Sequence, residues 1–195
     1  EAIDGERLGV AFLTALSLGL RPGEVCGLCW DAVDLDVGTI TIIRSLQRRP
    51  DSSLVLGPVK TTKGERSLAL PPYLVSSLRR HRSKVAEERL VAGALWQDLG
   101  LVFPSEVGTP VDPSNFRRAF KRAVVRAGLG STWTPYELRH SALSLLSDAG
   151  VRIEDVSDLA GHTDTRTTMN TYRHPVRPVI SHAVEPMQRL LGSES

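Results

Sequence analysis

Two consecutive helices between Thr134 and Gly161 constrain this chain more than any other stretch. Thr134 and Glu137 form an S/T-x-x-E capping box with Pro135 at the first helical position, so the first helix has one defined start. Leu138, Ala142, Leu145, Leu146 and Ala149 recur on one face, and Gly150 closes the helix. A second apolar set, Ile153, Val156, Leu159 and Ala160, ends at Gly161, and His162 follows at once. Arg139 is expected to point off the apolar stripe, one turn from a helix N-terminus, where the macrodipole favours an anion. Tyr172 stands ten residues beyond His162, on a Thr-rich run of weak helix propensity.

The remainder of the chain predicts a fold of class α+β, mainly α, with a small antiparallel sheet. Leu8, Ala11, Phe12, Ala15, Leu16 and Leu18 make an amphipathic helix ended by Gly19. Pro22 starts the next helix and leaves Arg21 at the N-cap, where Ser, Thr, Asp or Asn is the usual occupant. A residue that breaks the local rule where anions bind is a candidate functional residue, and Glu24 is near enough to tether its guanidinium. Asp31, Asp34 and Asp36 read as turn chemistry before a strand over 39–44. Residues 47–58 are polar and Pro-flanked, a loop. A lysine-bearing segment, Lys60 to Arg66, leads into a second strand at 67–70. Tyr73 to Ala92 is a long helix with Leu74, Leu78 and Val85 inward and Arg79, Arg80 and Arg82 outward. Leu101–Phe103 is a short buried strand.

Pro113 begins a helix with a pronounced charge asymmetry. Phe116, Ala119, Phe120, Ala123 and Ala127 fall on one side, and Arg117, Arg118, Lys121, Arg122 and Arg126 on the other. No acidic residue lies between Asp112 and Glu137, so this face is either simply solvated or laid along a phosphate backbone. The formal net charge of +2 does not by itself announce a nucleic-acid partner. Of the 24 basic residues, however, 20 are Arg, the side chain best matched to phosphate.

Cys26 and Cys29 give no disulfide framework and suit a reducing, cytoplasmic setting. Their C-G-L-C spacing lies inside an expected helix without the preceding strand of a redox motif, so they read as core residues. There is neither an apolar run long enough to span a bilayer nor a signal segment, hence no membrane partner is expected. The chain starts with Glu rather than Met, which suggests a portion of a longer protein.

Two arginines at separate helix starts, a lysine, a histidine and a tyrosine suit an oxyanion whose charge is spread over several oxygens. Guanidinium forks bind phosphoryl oxygens bidentately and do not lose their proton. No carboxylate cluster is available for Mg²⁺, so cationic side chains would take the place of a metal, and no cofactor is expected. No G-x-x-x-x-G-K-[ST] loop is present for nucleotide hydrolysis. A phenol with a reference pKa near 10 becomes a nucleophile only where cations stabilise its phenolate.

R-P-G-E at 21–24, a lone lysine between strands, E-L-R-H at 137–140, L-A-G-H at 159–162 and T-Y-R-H at 171–174 occur in the order found in tyrosine recombinases. The chain resembles the catalytic domain of that phage-integrase family over nearly its whole length. The resemblance implies that Arg21 and Arg139 are the two catalytic arginines, with Glu24 supporting the first. It implies that Lys60 (or, less well matched, Lys63) protonates the 5′-hydroxyl leaving group. His162 would bond the scissile phosphate, and Tyr172 would become joined to the 3′-phosphate. Tyr136 stands where the family pattern most often has His, and is a far weaker base. His140, beside Arg139, reads as a packed histidine before it reads as a catalytic one; His81 and His182 have no motif around them.

The resemblance also implies double-stranded DNA as partner, with a homotetramer on DNA and a monomer when free. Residues 1–175 would be the catalytic domain, and 176–195 a tail that packs on it or docks on a neighbouring subunit. Two alternatives remain. One is a non-enzymatic helix-turn-helix module over 152–172, which leaves Arg21, Lys60 and Tyr172 without a purpose. The other is a type IB topoisomerase, which shares the fold and the tyrosine chemistry.

Overall fold

The computed structural model describes residues 5–59, 61–161 and 189–190. Lys60, His162, Tyr172 and His182 lie outside the described residues, as does the tail apart from a helical pair at Arg189 and Leu190. Six helices are described: α1 (Gly9–Leu18), α2 (Pro22–Cys26), α3 (Pro72–Ala92), α4 (Pro113–Arg126), α5 (Pro135–Asp148) and α6 (Ile153–Ala160). Five short strands lie between α2 and α3: β1 (Val33–Asp34), β2 (Thr39–Ile42), β3 (Arg44–Arg48), β4 (Leu54–Pro58) and β5 (Arg66–Ala69). All pairings are antiparallel, in a three-stranded sheet of order β1-β2-β5 and a separate β3-β4 ribbon. The expected α+β, mainly helical class is what the chain adopts.

The central element is α1. It is not amphipathic as its sequence suggests, because Thr14 and Ser17 are buried along with Ala11, Phe12, Ala15 and Leu18. Both hydroxyls donate back to carbonyls one turn earlier, Thr14 Oγ1 to Val10 and Ser17 Oγ to Leu13, each at 2.7 Å. With those donors satisfied, the helix can be covered on nearly every side. Phe12 meets Phe116 and Phe120 of α4 edge to face, at centroid separations of 5.1 and 5.3 Å. Full burial of such a ring contributes roughly 1.5–3 kcal/mol. On the opposite side Leu16 packs on a second apolar cluster, Ala142, Leu143, Leu146, Val151, Val156 and Ala160, formed between α5 and α6. Gly19 ends α1 in the left-handed region, with φ of 61°.

Four local expectations are corrected. The run over 39–44 is two strands in different sheets, because the adjacent Ile42 and Ile43 interrupt the period of two and the chain changes partners there. Residues 47–58 are not a loop. They form most of the β3-β4 ribbon, with Arg48 opposite Leu54 and Ser52 in the turn at φ of 68°. Only Leu46 of β3 is buried, and β3's polar composition conceals the pairing; β4 is apolar but no residue of it is fully buried.

The Cys26–Cys29 stretch leaves the helix at Cys26. A Cβ on Gly27 would come within 2.6 Å of the Leu46 amide nitrogen, so β3 crosses directly against this turn. Both cysteines are nevertheless buried, and burial pushes the Cys26 thiol up to about 12. Leu101–Phe103 is buried but makes only an isolated bridge, Leu101 with Cys29, rather than a strand.

The turn read at Asp34 is present. Asp34 accepts from the amides of Asp36 and Val37 in a turn. His81 is a core histidine bonded to the Val102 carbonyl at 2.7 Å. Among the described residues, no helix is long and apolar enough to cross a membrane.

Candidate active site

A cleft of about 930 Å³ opens between the β3-β4 ribbon and the starts of α2, α4 and α5; its lining includes Arg21, Ser45, Arg48, Arg117, Tyr136 and Gly161. Each wall follows from local sequence. Pro22 and Pro135 set the first turns of α2 and α5, and Asp112 caps α4 by accepting from the Ser114 amide at 2.8 Å. The starts of three helices therefore line one space, and a helix start favours negative charge.

Arg21 occupies the N-cap of α2 in extended conformation. An arginine has no acceptor to offer the helix amides, so Glu24 does the capping, taking the Arg21 amide at 3.0 Å. The same carboxylate receives the Arg21 guanidinium at 2.8 Å. Glu24 is buried, and burial raises its pKa. The ion-paired guanidinium of Arg66 and the bonds from Arg21 outweigh that, so the carboxyl stays below its ordinary value. Arg21 Nη2 also reaches the carbonyl of Gly161 at 3.4 Å.

Arg139 differs from its expected placement. It lies in the buried stripe of α5 with Pro135, Ala142, Leu143 and Leu146, and only 5 % of its surface is exposed. Its Nη1 donates to Gly19 O at the end of α1, and its Nη2 to Ala160 O at the end of α6, both at 2.6 Å. These carbonyls have no partner within their own helices, and each end carries the negative pole of its dipole. A guanidinium can therefore sit in an apolar stripe at this point, which periodicity alone does not reveal. Leu138 and Leu145 are only partly buried and Ala149 is exposed.

Arg21 and Arg139 thus grip successive carbonyls, Gly161 and Ala160, immediately before His162 in the chain. Gly161 holds the left-handed conformation, with φ of 63°. A Cβ there would lie 2.9 Å from Lys63 O and 3.0 Å from Arg66 Nη1. Tyr136 stands exposed in the cleft wall at the start of α5, and His140 is exposed rather than packed. The Thr134 hydroxyl and amide both donate to Glu137, and the hydroxyl bond above all keeps the Glu137 carboxyl below its ordinary value.

The basic face of α4 is exposed at Arg117, Arg118, Lys121 and Arg122, and Arg117 faces the cleft. Arg118 bonds Asn115. Glu6 approaches Arg122 at 3.5 Å and Arg126 at 3.2 Å, so an acid from far away in the chain partly offsets this face. Across the cleft, Arg48 pairs with Asp112 at 2.6 Å.

Sequence reasoning did not single out Arg66. Its guanidinium bonds Glu24 at 2.9 and 3.3 Å, Leu159 O at 2.7 Å and Gly64 O at 2.8 Å. The available signal was strand parity: Arg66 shares the inward side of β5 with Leu68, where a charge requires partners.

The chain is 43 % identical over 190 residues to an integrase of Streptomyces ambofaciens, covering 92 % of this chain and 47 % of that protein. It is 32 % identical to a XerC-like tyrosine recombinase of Caldanaerobacter subterraneus, covering 97 % of this chain and 51 % of the relative. It therefore spans about half the length of these curated relatives. Among solved structures, the fold is similar to that of the Tn1549 transposon integrase in complex with transposon right-end DNA. That likeness has a TM-score of 0.73 at 20 % identity and covers 95 % of this chain and 59 % of that one. The XerA recombinase gives a TM-score of 0.68 at 20 % identity, over 100 % of this chain and 61 % of that one. Residues 2–177 match the phage integrase family, and with these relatives the chain belongs to that family.

Proposed function

We propose that this chain is the catalytic domain of a site-specific DNA recombinase, acting through a covalent 3′-phosphotyrosine. The observation that carries the reading is the pair of arginines from distant helices, Arg21 and Arg139. They meet at the Ala160–Gly161 carbonyls beside a cleft walled by helix starts, in a chain of the phage integrase family.

In this reading the scissile phosphate sits in the cleft. Arg21, which lines the cleft, and Arg139, which must release a helix-end carbonyl to reach it, neutralise its non-bridging oxygens, and His162 bonds one of them. Such guanidinium contacts contribute roughly 10³–10⁵ in rate in other phosphoryl transfers. Tyr172 Oη attacks phosphorus, and its proton passes to His162 or to water. The bond from phosphorus to O5′ breaks as Lys60 donates a proton to the leaving oxygen. The phosphotyrosine preserves the energy of the diester, so a 5′-hydroxyl rejoins the strand without ATP. Tyr136 serves as a phosphate-bonding hydroxyl rather than as a base. Arg117, Arg118, Lys121 and Arg122 hold the DNA backbone and position it without reading sequence.

Double-stranded recombination sites are the partner, engaged by four copies. Residues 1–175 carry the chemistry, and 176–195 dock on a neighbouring copy. A nicked suicide substrate tests the reading. The intact protein is expected to leave a denaturation-resistant protein–DNA adduct, mass spectrometry to place the nucleotide on Tyr172, and Tyr172→Phe to leave none. Binding without an adduct from the intact protein would refute it.

A further inference from the structure

Arg66 and Arg21 share one carboxylate, each bonding both oxygens of Glu24. The Arg66 side chain is 8 % exposed and the Arg21 side chain 37 %, and Arg21 alone of the two lines the cleft. Arg66 binds both oxygens of Glu24, the Leu159 carbonyl at the end of α6, and the Gly64 carbonyl of the segment that follows Lys60. Three stretches separated by tens of residues are thereby joined through one planar group. Each of them adjoins a residue with a role in the proposed reaction: Arg21, Lys60 or His162. A surface ion pair needs none of this, and a structural arginine serving only β5 would not require Glu24.

We infer that Arg66 is a positioning residue of the strand-cleavage reaction. It holds Glu24 so that Glu24 presents Arg21 to the phosphate, and it fixes the end of α6 from which His162 continues. It does not touch DNA. The inference rests on the recombinase reading above. Its logic is geometric: Arg66 holds both oxygens of the carboxylate that orients the Arg21 guanidinium, and among the described residues that carboxylate's one other tether is the Arg21 amide. A misplacement of about 1 Å in such a site costs on the order of 100-fold in rate.

Two substitutions separate this role from a merely structural one. Arg21, on its own helix, and Arg66, from β5, are the charged groups that contact Glu24 among the described residues. Arg66→Met preserves bulk but leaves Glu24 buried with one cation, so its carboxyl takes up a proton at higher pH and releases Arg21. Adduct formation on the suicide substrate is expected to fall about 100-fold near neutral pH. DNA affinity should stay within about threefold, and the acid limb of the pH–rate profile should move to higher pH.

Arg66→Lys keeps a charge beside Glu24 but cannot span all its acceptors. It should cut about tenfold more slowly, with the acid limb where the intact protein has it. Because Arg66→Lys retains the ion pair, it gives a reading even if Arg66→Met folds poorly. Cleavage by both variants within about threefold of the intact protein, or a loss equal at every pH, would overturn the role. An intact protein that forms no adduct defeats the recombinase reading and this role together. An adduct from the intact protein with an unimpaired Arg66→Met defeats this role alone.

Discussion

Replacement of Arg139 should injure the fold as well as the chemistry, by an amount that follows from its bonds. The guanidinium closes two short bonds to carbonyls at the ends of different helices, Gly19 O and Ala160 O. Hydrogen bonds to a charged group contribute roughly 1.5–3 kcal/mol each, so Arg139→Ala should cost about 3–6 kcal/mol. Removal of the buried aliphatic stem adds to this. Small domains have about 5–15 kcal/mol in hand, so this variant should be partly unfolded or close to it.

Arg139→Lys keeps the charge and can still satisfy one of the two carbonyls, for a loss of about 1.5–3 kcal/mol. Urea denaturation followed by tryptophan fluorescence reads both. At a slope of roughly 2 kcal/mol/M, the midpoint should fall by about 1 M for Arg139→Lys and by about 2 M or more for Arg139→Ala. Cleavage should be lost in Arg139→Lys under conditions where it remains folded. An Arg139→Ala midpoint within about 0.3 M of the intact protein would show that the carbonyl bonds carry no such energy.

Two further perturbations test the same architecture. Gly161→Ala meets both a left-handed backbone and close neighbours, Lys63 O at 2.9 Å and Arg66 Nη1 at 3.0 Å, whereas Gly128 has a φ of 72° with nothing within 4 Å of a Cβ. Gly128→Ala should cost about 1–2 kcal/mol and Gly161→Ala clearly more, as read by denaturation midpoints; equal losses would refute the close approach. The Asp112 carboxyl lies at about 2, held there first by the Ser114 hydroxyl, then by the Ser114 amide and Arg48. The fold favours its ionised form, so this contribution is complete above the usual carboxylate value of about 4 and is lost as pH falls through about 2. Asp112→Asn keeps a capping acceptor but has nothing to titrate. The stability gap between intact protein and variant should therefore narrow from about pH 5 to about pH 2.5, and a constant gap would refute the assignment.

What the amino-acid sequence determined by itself is what depends on neighbours within a few residues. The S/T-x-x-E box at Thr134, the prolines at first helical positions and the glycines at 19 and 161 act through backbone geometry, and all stand where the sequence puts them. Arg21 was legible for a related reason: it occupies a cap that it cannot serve, and Glu24, three residues on, supplies what it lacks. The ordered motifs likewise sufficed to identify the family.

Tertiary structure decided whatever depends on partners far away in the chain. Periodicity placed Arg139 on the solvent side because a charge needs water or acceptors. The acceptors are carbonyls 120 and 21 residues distant. Arg66 looked like a strand flank until Glu24 and the end of α6 closed around it, and the basic face of α4 looked unopposed until Glu6 reached Arg122 and Arg126. The β3-β4 ribbon reads as a loop in the sequence because Leu46 is the one buried residue of β3 and no residue of β4 is fully buried. A buried charge is tolerated only where the fold supplies its counter-dipoles, and that supply is set by which chain ends meet in space.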